Sequence, residues 1–245
     1  MAIELIVVTI GGFVASFVNA AFATGGIYIV LASSTAVFPV AVAVPLQSAF
    51  AMGSLVARIM VFWQHIHWPV VMAFASGSVI GVYLGGLVFV SLPEGIIAIL
   101  LGLLLLTLIW MPATDWRPPL RHPFALVGVA HSFLGTVFGV GALLQPTILR
   151  TSLGKLAITA TLAACLAIMD VFKLTTYIWH GFDYRPYLPH IALAIIAGFL
   201  GTWCGKRVSH KISESVFRTV FKWLVTLVAL QLLYRGVVFY SIQSI

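Results

Sequence analysis

The sequence has very little charge. Asp, Glu, Lys and Arg together make up 8% of its 245 residues, whereas hydrophobic residues make up 62%. Soluble domains carry about a quarter of their residues as charged ones, so this composition excludes a soluble fold. Apolar runs of about 20 residues, the length that spans a bilayer as a helix, recur along the whole chain. We therefore predict a multi-pass protein of the inner or plasma membrane, surrounded by the lipid bilayer.

Cysteines and clustered polar ligands are also scarce. Cys165 and Cys204 both lie in apolar runs and are interpreted as small buried hydrophobic residues. His65 and His67 have no third ligand nearby, so we predict no metal and no cofactor. A membrane-embedded enzyme would need paired acids or clustered histidines, and only Asp170 lies deep in an apolar run. The sequence therefore predicts a protein that is not an enzyme.

The basic residues account for a formal net charge of +7. They do not cluster on an aromatic-rich soluble face, which argues against a nucleic-acid partner. They cluster instead in loops between the apolar segments, a pattern typical of cytoplasmic loops in membrane proteins. The charge therefore indicates orientation in a membrane.

The apolar segments occur twice in the same order. Each half has a long and a short segment followed by three long ones, and "FATGG" at 22–26 corresponds to "FGVGA" at 138–142. Such internal similarity predicts two membrane repeats, 1–111 and 123–245, joined by a linker at 112–122. The segments are roughly 2–24, 27–37, 39–63, 68–91 and 94–111, then 123–140, 142–149, 155–180, 186–205 and 213–240.

The distribution of charge favours inverted repeats. The first half contains one basic residue, Arg58, and the linker and second half contain the other twelve. If each short segment returns to its starting side, each half crosses the membrane an odd number of times. A cytoplasmic linker then places the loops at 150–155 and 206–211 in the cytoplasm as well, whereas parallel repeats would place the first of them outside. The predicted fold class is an all-α integral membrane bundle of two inverted repeats, each with a re-entrant or broken helical hairpin followed by three transmembrane helices.

The short segments predict a binding site. A helix of 11 residues rises about 16 Å, half of the hydrocarbon core, so each short segment should form a hairpin with the helix before it. Gly25 and Gly26 in the first half, and Gly139 and Gly141 in the second, would form the tips because glycine tolerates positive φ. Helix N-termini at two such tips would attract an anion. The alternative is that these glycines only allow close helix packing.

Ionisable residues inside the membrane are costly and usually functional. Arg58 and Lys173 are predicted to attract an anion from either side; alternatively Arg58 snorkels to the interface and Asp170 neutralises Lys173. His131 is predicted to couple protons to transport or to serve as a hydrogen-bonded packing residue. The neutral polar side chains predicted near the tips are Asn19, Thr24, Tyr28, Gln47, Ser48 and Gln145.

The order of these motifs resembles the TauE/SafE sulfite exporter family. One feature of the resemblance is "FGVGALLQPTIL" at 138–149. Another is the pattern at 61–106, which consists of an aromatic loop, a G-x3-G-x3-G helix and "LP" at the start of the next helix. A similar pattern occurs again at 177–208. The resemblance implies a secondary transporter that exports a sulfite-like anion. No segment looks like an ATP-binding P-loop, so we expect coupling to a proton or another ion gradient, or to the gradient of the anion itself. The glycine clusters are reduced to "ATGGI" and "GVGAL", which leaves the exact substrate open.

Three other functions remain as alternatives from the sequence. The first is an anion channel with the same site, and the second is a permease for another small organic anion such as a carboxylate. The third is a retinal-type photoreceptor that uses Lys173 with Asp170, and the re-entrant segments argue against it. A homodimer is compatible with the sequence.

Overall fold

The computed structural model describes residues 2–22, 25–110, 123–208 and 214–243. These residues form α-helices with short turns and contain no β-strand. The helices are α1 (Ala2–Phe22), α2 (Gly26–Val37), α3 (Val40–Phe62), α4 (Trp68–Ser91), α5 (Glu94–Trp110), α6 (Pro123–Phe138), α7 (Leu144–Ile148), α8 (Lys155–Trp179), α9 (Leu188–Val208) and α10 (Glu214–Gln243).

Six helices in the described part of the chain are long and apolar enough to cross a membrane, namely α1, α3, α4, α8, α9 and α10. With its 17 residues, α5 rises about 25 Å and is at the lower limit for a span. The predicted polytopic helical membrane fold is therefore confirmed. The predicted linker, 112–122, lies outside the described residues, and the inverted orientation of the repeats stays a prediction.

The short helix of the second half is shorter than its apolar run predicts. The segment 142–149 suggested a half-length helix, but α7 has only five residues. The turn before it extends further than expected, because Gly139 and Ala142 adopt positive φ values of 76° and 60°. In the first half only Gly25, with φ 98°, interrupts the described chain before the 12 residues of α2. The two hairpins therefore differ: one returns as a helix, the other mainly as a turn.

The helices α1 and α2 pack side by side and run in opposite directions. A Cβ atom at Gly26 would overlap the side chain of Asn19, and one at Gly11 would overlap Ser33. Residues late in α1 therefore contact the start of α2, and residues earlier in α1 contact the end of α2. This arrangement holds the start of α2 inside the bundle.

One end of the bundle, which we call the Glu94 end, gathers the starts of four helices. The Glu94 carboxylate accepts a hydrogen bond of 2.7 Å from the Val40 N–H, which joins the starts of α5 and α3. The Glu4 carboxylate lies 3.7 Å from His190 Nε2, which joins the starts of α1 and α9. These contacts place the start of α1 at the Glu94 end.

The opposite end, which we call the Trp63 end, joins the starts of α4, α8 and α10. The His67 N–H at the start of α4 donates a 3.0 Å hydrogen bond to Thr161 Oγ1 on α8. The rings of Trp110, at the end of α5, and Trp223, near the start of α10, meet edge to face with centroids 6.0 Å apart. Because α6 packs parallel to α4, it also begins here, so α1 and α6 begin at opposite ends of the bundle.

Glycine contacts attach the first helix of each half to a helix of the other half. A Cβ atom at Gly77 on α4 would overlap the Ala125 carbonyl on α6, and one at Gly81 would overlap the Val129 carbonyl. In the same way, a Cβ atom at Gly201 on α9 would overlap the carbonyl of Phe13 on α1. Small residues allow this close approach of helix backbones. Neither sequence half is therefore a separate packing unit.

A candidate anion-binding cavity

A cavity of about 170 Å³ lies between the two hairpins and the helices α3 and α8. It is lined by twelve of the fourteen residues that the sequence singled out. These twelve are Asn19, Gly25, Tyr28, Gln47, Ser48, Arg58, His131, Gly139, Gly141, Gln145, Asp170 and Lys173. The tertiary structure thus brings the selected residues together around one space, and whether they bind a ligand stays a prediction.

The other two selected residues lie elsewhere. Thr24 is outside the described residues. Gly26 does not line the cavity, and its N–H donates a 2.9 Å hydrogen bond to Asn19 Oδ1. Asn19 therefore caps the start of α2, and the first free N–H group of that helix is already used within the protein.

Gln47, on α3, joins the two hairpin tips. Its Nε2 donates a 3.0 Å hydrogen bond to the carbonyl of Ile27 in α2. Its Oε1 faces Gly139, where a Cβ atom would overlap it. The amide orientation is determined by the Ile27 carbonyl, which requires a donor. The side chain is fully buried, and Oε1 has no hydrogen-bond partner. Gln47 therefore lies between the two tips, hydrogen-bonded to the first and in contact with the second.

His131 caps the second hairpin as Asn19 caps the first. Its Nδ1 accepts hydrogen bonds of 3.1 Å from the N–H groups of both Leu143 and Leu144. A ring nitrogen that accepts hydrogen bonds carries no proton, so the neutral ring holds its proton on Nε2. Gly141 leaves room for this ring, since a Cβ atom there would lie 2.5 Å from both ring nitrogens. The geometry favours a neutral histidine with an N–H donor at Nε2.

This geometry predicts different results for two amide substitutions of His131. An Asn side chain places its Oδ1 near the position of Nδ1 and can still accept from Leu143 and Leu144. A Gln side chain extends towards Nε2 and leaves the Leu144 N–H unpaired, whereas the Leu143 N–H keeps its 2.8 Å hydrogen bond to the Gly141 carbonyl. We expect His131→Asn to keep wild-type thermal stability in detergent and His131→Gln to lose about 1–3 kcal/mol, the cost of an unsatisfied buried donor. Differential scanning fluorimetry measures the thermal stability of the two variants. Equal stability would contradict the assignment of His131 Nδ1 as the acceptor that caps the second hairpin.

Asp170 and Lys173 form a buried ion pair on α8. Their Oδ1 and Nζ atoms lie 3.6 Å apart, one helical turn along the chain. The two residues are only 5% and 2% exposed. The Ser48 hydroxyl lies beside the Asp170 carboxyl group without reaching full hydrogen-bond geometry. Because a buried charge needs a partner, the pair is held together, and it borders the deep part of the cavity.

Arg58 carries a charge that no carboxylate among the described residues balances. Its Nε donates a 3.3 Å hydrogen bond to the carbonyl of Ser54, one turn earlier in α3. Among the residues that the structure describes, no carboxylate lies within 4.0 Å of it. The side chain is partly exposed and lines the cavity. The guanidinium therefore has donors left for a ligand.

The cavity is closed towards the Glu94 end. The Tyr177 O–H donates a 2.6 Å hydrogen bond to the carbonyl of Thr136, and its ring packs edge to face on Phe89. The Tyr184 O–H donates to the carbonyl of Pro45 at 3.3 Å. Towards the Trp63 end, the polar lining residues Asn19, Arg58 and Gln145 are partly exposed, and the cavity opens on that side.

Sequence reasoning missed several residues around the cavity. Ser16 and Ser54 also line it, and Tyr177 and Tyr184 close it. Serines and tyrosines are common in apolar segments, and nothing in the spacing of Ser16, Tyr177 or Tyr184 marks them. A usable signal existed for Ser54 alone, because it lies one helical turn before Arg58 and such pairs share a helix face.

Comparison with known proteins gives one match. A family model described as "Sulfite exporter TauE/SafE" matches residues 8–232, which is most of the chain and includes both hairpins and every lining residue of the cavity. No curated protein and no solved structure matches the chain.

Proposed function

Since the chain belongs to the TauE/SafE sulfite exporter family, a family of membrane transporters, we propose that it exports sulfite or an organosulfonate by a secondary mechanism. The observation that carries this proposal is the cavity between the two hairpins, with Arg58 unbalanced at its mouth. A cationic cavity inside a membrane bundle suits a small anion, because an ion leaving water needs compensating charge and hydrogen bonds.

Side chains supply most of the donors in this proposal. The sequence suggested that backbone N–H groups at 25–27 and 141–142 hold the anion. The N–H of Gly26 is taken by Asn19, and those of Leu143 and Leu144 are taken by His131. The donors that this proposal keeps include the Arg58 guanidinium, the Lys173 ammonium and the Nε2–H of His131, together with the backbone N–H groups of Ile27, Gly141 and Ala142, which also line the cavity. Hydrogen bonds from a charged donor such as a guanidinium or ammonium to an anion are stronger than hydrogen bonds between neutral groups.

Transport by alternating access requires the closed end to open. The glycine contacts hold α1 with α9 and α4 with α6. We therefore place the moving units across the sequence halves: α1, α2 and α9 form one, and α4, α6 and α7 the other. A relative rocking of these units would widen the space between the two hairpins towards the Glu94 end and narrow it towards the Trp63 end. From the sequence we expect alternating access in which one repeat bundle rocks against the other; the contacts between the halves favour units that combine helices of both instead.

The direction of opening follows from the predicted topology. Lys206 and Arg207 end α9 at the Trp63 end, and Arg150 and Lys155 flank the turn between α7 and α8. Under the positive-inside rule this end faces the cytoplasm. The cavity is then open inward, as expected for an exporter ready to load its substrate.

Counterflow in proteoliposomes tests this function. Vesicles preloaded with unlabelled sulfite should take up labelled sulfite faster than empty vesicles, because a carrier returns faster with substrate bound. Arg58→Gln should raise the sulfite concentration for half-maximal counterflow about 10- to 100-fold, since a hydrogen bond to a charged group contributes about 1.5–3 kcal/mol.

The matched control is Arg185→Gln. Arg185 is exposed, lies outside the cavity and pairs with Asp183 at 3.0 Å, so its loss should leave counterflow unchanged. A saturable current without counterflow would indicate a channel instead. Counterflow with small carboxylates and none with sulfite or sulfonates would indicate the other permease function.

A further inference from the structure

We infer that the cavity selects an anion with a single negative charge and rejects a divalent anion of the same shape. For sulfite, this assigns hydrogen sulfite rather than the dianion as the bound form. The inference rests on the proposed function and adds the charge of the substrate to it. It depends on the charge balance of the groups that line the cavity.

In the described part of the chain, five ionisable side chains line the cavity: Tyr28, Arg58, His131, Asp170 and Lys173. A phenol is uncharged at neutral pH, so Tyr28 contributes nothing. His131 is neutral because its Nδ1 accepts two backbone hydrogen bonds, and a proton there would break both. Three charged groups remain to be counted.

Asp170 and Lys173 contribute no net charge. Their Oδ1 and Nζ atoms lie 3.6 Å apart, and both residues are almost fully buried. Their combined charge is zero if both are ionised, and it is also zero if the proton has passed from the lysine to the aspartate. The net charge therefore does not depend on the ionisation of this pair.

Arg58 leaves a net charge of +1 in the lining. A guanidinium stays protonated in proteins, and no carboxylate lies within 4.0 Å of it in the described chain. A monovalent anion neutralises this charge. A divalent anion leaves one negative charge without a partner in a cavity that must close around it during transport, and such a charge is costly in a low-dielectric interior.

Methanesulfonate and sulfate provide a matched pair of probes. Both are tetrahedral sulfur oxyanions of similar size, and they carry one and two negative charges at neutral pH. Binding to the purified full-length protein in detergent can be measured by isothermal titration calorimetry at constant ionic strength. The wild type should bind methanesulfonate at least 10-fold more tightly than sulfate.

Two variants change the charge in a defined way. With Lys173 protonated, Asp170→Asn raises the net charge of the lining to +2 and should shift the methanesulfonate-to-sulfate affinity ratio at least 10-fold towards sulfate. The double variant Asp170→Asn/Lys173→Met removes the pair, returns the net charge to +1 and should restore the wild-type ratio. If the single variant does not fold, the affinity ratios of the wild type and the double variant still test the inference. Both linings carry the same net charge, so the two ratios should be equal.

The outcomes separate this inference from the proposed function. Equal affinity of the wild type for the two anions, or tighter binding of sulfate, would overturn the charge selection and leave anion binding intact. An altered ratio in the double variant would overturn it as well, because the net charge of its lining equals that of the wild type. Absence of binding for methanesulfonate, sulfate and sulfite alike would instead overturn the proposed function together with the inference.

Discussion

Gly141→Ala is expected to abolish anion transport, whereas Gly154→Ala should leave it unchanged. The added Cβ at Gly141 would lie 2.5 Å from both ring nitrogens of His131, closer than atoms can approach. The ring would have to leave its site, and the Leu144 N–H would lose its acceptor. Unsatisfied buried groups cost about 1–3 kcal/mol each, so the hairpin tip should lose its shape. Counterflow in proteoliposomes measures the loss.

Gly154 is the matched control for this substitution. It precedes α8 in an ordinary extended conformation, with φ −68°, and a Cβ atom there would meet nothing within 4 Å. Gly154→Ala therefore adds the same methyl group without a steric clash. Wild-type counterflow in Gly141→Ala, or equal losses in the two variants, would show that the contact between Gly141 and His131 does not shape the site.

Lys173→Met is expected to destabilise the protein by about 3–5 kcal/mol, because it leaves the buried Asp170 carboxyl group without its partner. Adding Asp170→Asn to this variant should recover most of the loss, since the buried charge is then removed as well. Removing an entire buried pair is often nearly neutral. Thermal unfolding of the detergent-solubilised single and double variants measures the difference.

The exposed pair Asp183–Arg185 provides the comparison for this result. Its atoms lie 3.0 Å apart, and the arginine side chain is 85% exposed. Water solvates either partner when the other is lost, so Arg185→Met should leave the unfolding temperature unchanged. If Lys173→Met and the double variant lost the same stability, the role assigned to the buried pair would be wrong and lost packing of the lysine stem would explain the effect.

The sequence predicted most helix boundaries to within two or three residues. Trp68–Ser91 was predicted without error, because Pro69 and Pro93 mark its start and the start of the next helix. The error at α7 has a local cause. Hydropathy reports that 142–149 is apolar, but it does not report that Ala142 adopts a positive φ. A left-handed alanine is rare, and only contacts across the hairpin can hold it.

The roles of individual residues at the site were harder to predict than their identities. Asn19 and His131 were selected because they are polar residues in apolar segments, and both line the cavity. Their use as caps could not be predicted, because a cap pairs a side chain with an N–H group many residues away: Asn19 with Gly26, and His131 with Leu143. Sequence spacing contains no information about such distances when a turn lies between the partners.

The sequence by itself determined that this chain is a polytopic helical membrane protein of the TauE/SafE family, because composition, segment length and motif order are local properties. The tertiary structure alone decided which polar groups meet and which hydrogen bonds they use. The closure by Tyr184 and Pro45, separated by 139 positions, and the packing of each hairpin on a helix of the other half arise from long-range packing. The charge of the cavity follows from both, since the sequence supplies the ionisable residues and the fold determines that Asp170 balances Lys173 while Arg58 remains unbalanced.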